Sequence, residues 1–183
     1  MKIGTCVNFS EIDGMGKKFA QLREHNFDSC QLVSWNPAAW TDENASLLKT
    51  LLEQYQITVS AFWCGWSGPA AWNFYDGPLT LGLVPVEYRQ MRIENLCDGA
   101  DFAHKLGITD VVTHMGFIPE NPYDPNFSSF CIAVRTVAEH LKKNGQCLLF
   151  ETGQETPVTM LRCFEAVGTD NLYVNLDTAN LIL

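Results

Sequence analysis

No stretch of the 183-residue chain approaches the roughly 20 consecutive apolar residues of a membrane-spanning helix. Basic residues are scarce: 12 Lys and Arg stand against 21 Asp and Glu, giving a net charge of −9. Such a chain lacks the positive field with which proteins neutralise nucleic-acid phosphates or dock on anionic lipid. Neither nucleic acid nor membrane is expected as a partner. The seven cysteines, Cys6, Cys30, Cys64, Cys97, Cys131, Cys147 and Cys163, include no CxxC pair, which argues against a zinc knuckle or a dithiol redox centre. Several fall in apolar stretches, where a free thiol behaves as a small hydrophobe, and reduced thiols suit the cytoplasm. The glycine fingerprint GxGxxG of dinucleotide folds is missing. Asp13-Gly14-Met15-Gly16-Lys17-Lys18 approaches its composition without the third glycine and reads as a loop-to-helix junction. The run from Met1 to Cys6 leads straight into strand-like sequence and does not read as a secretory leader.

What is present is an alternation of strand and helix signals from end to end. The composition, 46% hydrophobic and 18% charged, suits one globular domain over residues 1–183. Strands are expected at 3–9, 28–34, 57–63, 108–114, 146–151 and 172–176. Between them run helical stripes: Met15, Phe19 and Leu22; Leu47, Leu48, Leu51, Leu52 and Tyr55; Ile93, Leu96, Ala100 and Ala103; and Phe127, Phe130, Cys131, Val134, Val137, Ala138 and Leu141. Caps follow the expected chemistry. Thr41 or Asp42 opens the second helix, Thr156-Pro157 opens the last as N-cap and first helical residue, and Gly107, Gly145 and Gly168 end helices. Strands such as Cys147-Leu148-Leu149-Phe150 are apolar on both faces, as a parallel sheet requires. Roughly six β-α units in series fit either a doubly wound open sheet or an α/β barrel. An eight-unit barrel usually needs about 250 residues, so the expectation is an α/β fold of (β/α)8 TIM-barrel type, truncated after about six units.

One segment breaks the alternation. Residues from Cys64 to about Val86 form a long insert rich in Gly, Pro and aromatics, including Trp66, Trp72, Phe74 and Tyr75. Loops of that length are usually functional or disordered, and disordered segments are poor in aromatics. It reads as an ordered loop covering a site, with rings suited to stacking on a sugar.

In an α/β barrel the catalytic groups sit at the C-terminal ends of the strands. Three successive strands here run into His114, Glu151 and Asp177. Neighbouring strands lie about 4.8 Å apart, so these side chains converge on one region. Carboxylates with an imidazole suit a divalent ion such as Mn, Co, Zn or Mg, without choosing among them.

Phe150-Glu151-Thr152-Gly153-Gln154-Glu155-Thr156-Pro157 resembles the fifth-strand motif of the xylose isomerase-like TIM barrels, the sugar phosphate isomerase/epimerase group. Asn175-Leu176-Asp177-Thr178-Ala179-Asn180-Leu181 resembles the sixth-strand motif, and segments around His114 and Gly77 are similar to one subgroup. The resemblance implies that Glu151 and Asp177 are two ligands of a single divalent metal ion, with Glu151 also moving the substrate proton. The family's remaining ligands, a His and a Glu at strands seven and eight, would lie beyond Leu183. His114, Gln154, Asn180 and Trp66 are expected at the substrate. The implied activity is a divalent-metal-dependent isomerase or epimerase of a sugar or sugar phosphate, acting by proton transfer through a metal-stabilised enediolate. Alternatives are a catalytically inactive barrel fragment or carbohydrate-binding scaffold, and a metal-dependent polyol dehydratase. The family also holds apurinic endonucleases with a His-rich metal cluster. Phe62-Trp63-Cys64 offers no His at the third strand end and Asn180 replaces one at the sixth, so nuclease chemistry is not expected. Exposed edges on the first and sixth strands would favour a homo-oligomer.

Overall fold

The computed structural model describes residues 2–180; Leu181, the last residue of the sixth-strand motif, lies outside the described residues. Strands β1 (Thr5–Asn8), β2 (Ser29–Ser34), β3 (Thr58–Cys64), β4 (Asp110–Thr113), β5 (Cys147–Glu151) and β6 (Leu172–Asn175) alternate with helices α1 (Met15–Glu24), α2 (Asp42–Tyr55), α4 (Val86–Lys105), α5 (Pro125–Lys143) and α6 (Pro157–Val167). A single helical turn, α3 (Gly77–Thr80), lies inside the aromatic insert, and a short 3-10 turn spans Pro37–Ala39. The sequence reading missed both, because neither is long enough to show a period. Five of the six strands are shorter than expected by one to three residues, as end residues without ladder partners drop out, while β3 keeps its expected length shifted by one residue.

All six strands are parallel and stand in chain order, β1 to β6. The sheet is curled. Gln31 on β2 donates from Nε2 to Asn175 Oδ1 on β6 at 3.1 Å, although three strands separate them in the sheet. Only a sheet rolled toward closure brings those two side chains together, so they face a barrel interior. Among the described residues β1 and β6 pair on one side only.

Side chains alternate across each strand. Leu32, Phe62, Val111, Leu148 and Phe150 point outward into a core shared with Phe19, Leu48, Leu96, Phe102, Val134 and Leu141 of the helices. Phe150 meets Phe164 of α6 edge-on at 4.9 Å. The helices begin where capping chemistry puts them: Thr41 Oγ1 accepts the Asn44 N–H, Asp124 Oδ1 accepts that of Asn126, and Thr156 Oγ1 accepts that of Thr159. Gly14 (φ 81°) turns the chain into α1, confirming the Asp13–Lys18 stretch as a junction. No helix among the described residues is long and apolar enough to cross a membrane.

Candidate active site

A cavity of about 300 Å³ opens at the C-terminal ends of the strands. Its lining comes entirely from the loops that follow them. The insert after β3 supplies Trp72, Asn73, Phe74 and Leu81; the loop after β4 supplies His114 and Phe117; those after β5 and β6 supply Gly153, Gln154 and Asn180. The insert therefore lies over the strand ends. No Lys or Arg contributes to this lining.

Of the six residues singled out in the sequence, His114, Gln154 and Asn180 line the cavity. Glu151, Asp177 and Trp66 are not part of that lining, and Trp66 is packed elsewhere. It is only 3% exposed, packed edge-on against Trp35 at 4.9 Å with the Arg92 guanidinium over its ring. The insert presents Trp72 and Phe74 to the cavity instead, and the sequence had no means of ranking rings within one loop. Trp72 stands against His114 with centroids 4.8 Å apart, and Trp63 of β3 flanks the same imidazole at 5.2 Å.

Glu151 is the last residue of β5, paired in register with Asn175 of β6. It shares the inward face with that residue, and Asp177 lies two positions beyond. A polar chain crosses the barrel interior to hold it. Cys6 donates to Gln31 Oε1, Gln31 to Asn175 Oδ1, and the Asn175 amide to Glu151 Oε2. Sequence reasoning missed Gln31 and Asn175. The available signal was a polar residue at an inward position of an otherwise apolar strand. Asp177 is fixed by its backbone: Thr152 Oγ1 accepts the Asp177 N–H at 2.8 Å, and Asp177 Oδ1 accepts the Ala179 N–H at 2.8 Å. Asn180 Nδ2 donates to the Thr152 carbonyl at 2.8 Å, stitching the two loops together.

The electrostatics follow from this crowding. Burial pushes the Glu151 carboxyl above its usual range, the Asn175 hydrogen bond opposes that, and the nearby Asp177 charge raises it further. His114 is pushed down to about 4 by burial, against an opposing pull from Gln154 and Asp177, and is a neutral imidazole at neutral pH. Its Nδ1 and the Gln154 Oε1 are both buried without a hydrogen-bond partner of good geometry. Two orphaned polar atoms on cavity-lining residues fit a hydroxyl-bearing ligand, since an unpaired buried polar group is costly. Glu155 is a further carboxylate that the sequence reading left without a role. It is buried with both oxygens unpartnered, and burial raises its pKa to about 7.

Two half-buried or buried carboxylates without a cationic side chain between them are an oxygen donor set suited to a hard divalent ion. Among the described residues, no group of three His, Cys, Asp or Glu side chains stands close enough to hold a metal.

No curated protein matches the chain. A xylose isomerase domain protein from Planctomyces limnophilus superposes with a TM-score of 0.90 at 28% identity, over 99% of this chain and 64% of its own. An L-ribulose 3-epimerase gives a TM-score of 0.75 at 21% identity, over 100% of this chain and 62% of its own. A xylose isomerase-like TIM barrel protein from Mycobacterium smegmatis, in complex with magnesium, gives 0.70 at 22% identity, over 93% and 58%. The chain thus spans less than two thirds of these structures, its described residues forming five β-α units and a sixth strand of the barrel. The family model of the xylose isomerase-like TIM barrels matches residues 19–183, and with the curled parallel sheet and a cavity at its strand ends, the chain belongs to that family.

Proposed function

We propose that the full-length protein is a divalent-metal-dependent sugar isomerase or epimerase, with residues 1–183 forming part of a single barrel domain. The observation that carries this reading is the pairing of Glu151 with Asp177 beside a neutral, aromatic cavity. The nearby Asp177 charge adds to the cost of charging Glu151, and a bound cation would relieve it. Glu151 and Asp177 would hold one divalent ion, with Mn, Co, Zn and Mg all compatible with oxygen ligands. When bound, such an ion supplies a Lewis acid for adjacent carbonyl and hydroxyl oxygens of a sugar.

The chain's own residues do the rest. Glu151, with Oε2 held by Asn175, takes and returns a proton at the sugar carbon next to the carbonyl. Its raised pKa brings it closer to the operating pH than an exposed carboxylate. Neutral His114 exchanges hydrogen bonds with a substrate hydroxyl through Nδ1, and Gln154 and Asn180 offer amides to others. Trp72 and Phe74 cover the apolar face of the ring and exclude water. Phosphate recognition depends on Arg, Lys or free helix N-terminal amides. The lining offers no such cation, Pro157 lacks an N–H, and the Thr159 N–H is taken by Thr156. These features favour the free sugar over the sugar phosphate. The unpaired cysteines favour a reducing, cytoplasmic setting. The one-sided edges of β1 and β6 favour self-association when this stretch is expressed alone.

The test is turnover by the full-length protein on a panel of ketoses and their phosphates, with each of the four metals. Conversion of a free ketose that stops on chelation and returns with metal supports the reading. Sugar binding without turnover in any metal assigns the protein to the scaffold alternative, and loss of water from a polyol assigns it to the dehydratase.

A further inference from the structure

We propose that Arg92 is a positioning residue for the cavity's aromatic wall. Its buried guanidinium ties the two ends of segment 70–81 together and so sets where Trp72 and Phe74 stand. Arg92 lies on α4, is 0% exposed, and forms no ion pair among the described residues. A buried charge without a counter-charge is costly unless hydrogen bonds and ring faces offset it. Here Nη1 donates to the Gly82 carbonyl at 2.6 Å and Nη2 to the Pro69 carbonyl at 2.8 Å. Trp66 and Tyr88 flank the group, with ring centroids 5.1 and 4.9 Å from its central carbon. Burial lowers its pKa only to about 10, so it stays charged at neutral pH.

The two carbonyls it bridges bracket the cavity-lining part of the insert. Pro69 stands just before residues 70–81, which carry Trp72 and Phe74, and Gly82 stands just after. Gly82 adopts φ +65°, and a Cβ there would lie 2.0 Å from the Met115 carbonyl. The next residue, Leu83, donates its N–H to Met115 O at 3.0 Å. Met115 follows His114 directly, so the clamp fixes the wall against the loop that carries the imidazole. Trp66 thereby acquires a role other than substrate contact: its face holds the guanidinium in the plane that reaches both carbonyls. Lysine cannot substitute, since a point charge on a flexible stem lacks the planar fork needed to bridge two acceptors between rings. Neighbouring Arg89 does a different task. It ties Leu83 O and Val84 O to Asn126 and Ser129 of α5.

The local claim stands on this geometry alone; its consequence for substrate rests on the function proposed above. The experiment compares the full-length wild type with Arg92→Met, Arg92→Lys and Trp66→Leu. Amide hydrogen exchange is read in residues 70–82 and, as reference, in β4 and β5. Both Arg92 variants should exchange roughly 10-fold or more faster across 70–82 with the reference strands unchanged. Trp66→Leu should give a smaller increase in the same segment, and decides the matter if Arg92→Met fails to fold. With D-fructose or another converted ketohexose as probe, KM should rise roughly 10-fold while kcat changes less than about 3-fold, the mark of lost binding rather than lost chemistry. Unchanged exchange in 70–82, full restoration by lysine, or acceleration spread equally over β4 and β5 would each overturn the proposal. If the wild type converts no ketose, the functional reading fails, and the exchange measurements alone decide the role of Arg92.

Discussion

Arg89 and Arg92 are buried with their guanidinium groups spent on main-chain carbonyls, Leu83 and Val84 for one and Pro69 and Gly82 for the other. Glu151 and Glu155 are as deeply buried, yet their surroundings do the opposite. Glu151 has one amide from Asn175 and the like charge of Asp177 nearby, and Glu155 has no well-aligned hydrogen-bond partner, only backbone N–H groups close by that weakly oppose the effect of its burial. The arginines sit behind the aromatic wall and the carboxylates sit at or beside the strand ends. A charge kept for structure is satisfied by the chain itself. Charges crowded with their own kind are held in an arrangement whose natural complement is a cation or a proton. The arginines thus brace the insert that walls the cavity, while the carboxylates stand outside its lining with their charge less fully compensated.

The sharpest way to test that division is Glu151→Gln. It keeps the shape and removes the charge, so kcat/KM of the active full-length protein should fall roughly 10³-fold or more, while thermal stability holds or rises. A drop in stability matching the lost activity would move Glu151 to the structural side of the comparison.

Arg89→Met should show the converse pattern. Four hydrogen bonds to Leu83, Val84, Asn126 and Ser129 disappear, leaving buried acceptors unpaired at a cost of about 3 kcal/mol. Denaturant titration should show that loss at every pH where the protein folds.

Glu155 gives a pH-resolved contrast. Its folded pKa is raised from 4.5 to about 7, so the folded state holds this proton more tightly than the unfolded chain. The favourable contribution is complete below the unfolded value and is lost as pH rises through the folded one. Glu155→Gln should therefore stabilise the protein by on the order of 2 kcal/mol at about pH 8 and leave it nearly unchanged at about pH 4. His114 works in the other direction. Its pKa is lowered from 6.5 to about 4, so its contribution is present above 6.5 and fades as pH falls through 4. A single urea series across pH should show both slopes.

The smallest effect belongs to the exposed pair of Lys105 with Asp42. Lys105→Met should change stability by less than about 1 kcal/mol and only at low salt. A larger value would mean that surface charge matters here as much as buried charge.

The order of elements was legible because each signal is local. A strand apolar on both faces, a threonine three residues ahead of an unpaired N–H, and a glycine after the last helical turn act over a few residues. Glu151 and Asp177 were legible as candidates for a related reason, since they stand at or just beyond strands whose ends the sequence marks, whereas Gln154 and Asn180 were expected only from the resemblance of the motifs that carry them. The insert was legible as an ordered cover but not in its details. Trp66 and Trp72 are chemically alike in the sequence, and only the buried guanidinium of Arg92 draws one inward while the other faces the cavity. Gln31 and Asn175 stayed hidden because their contact spans 144 residues of chain and depends on how far the sheet curls.

By itself the sequence determined the alternation of strand and helix, the parallel sheet, the caps, and the carboxylates at the ends of β5 and β6. These depend on side-chain periodicity and on hydrogen bonds between near neighbours. The tertiary structure alone decided which ring meets the cavity, which arginine clamps the insert, and which amide holds Glu151. Those outcomes depend on sheet curvature and on competition for buried space, which bring together residues that no local pattern relates.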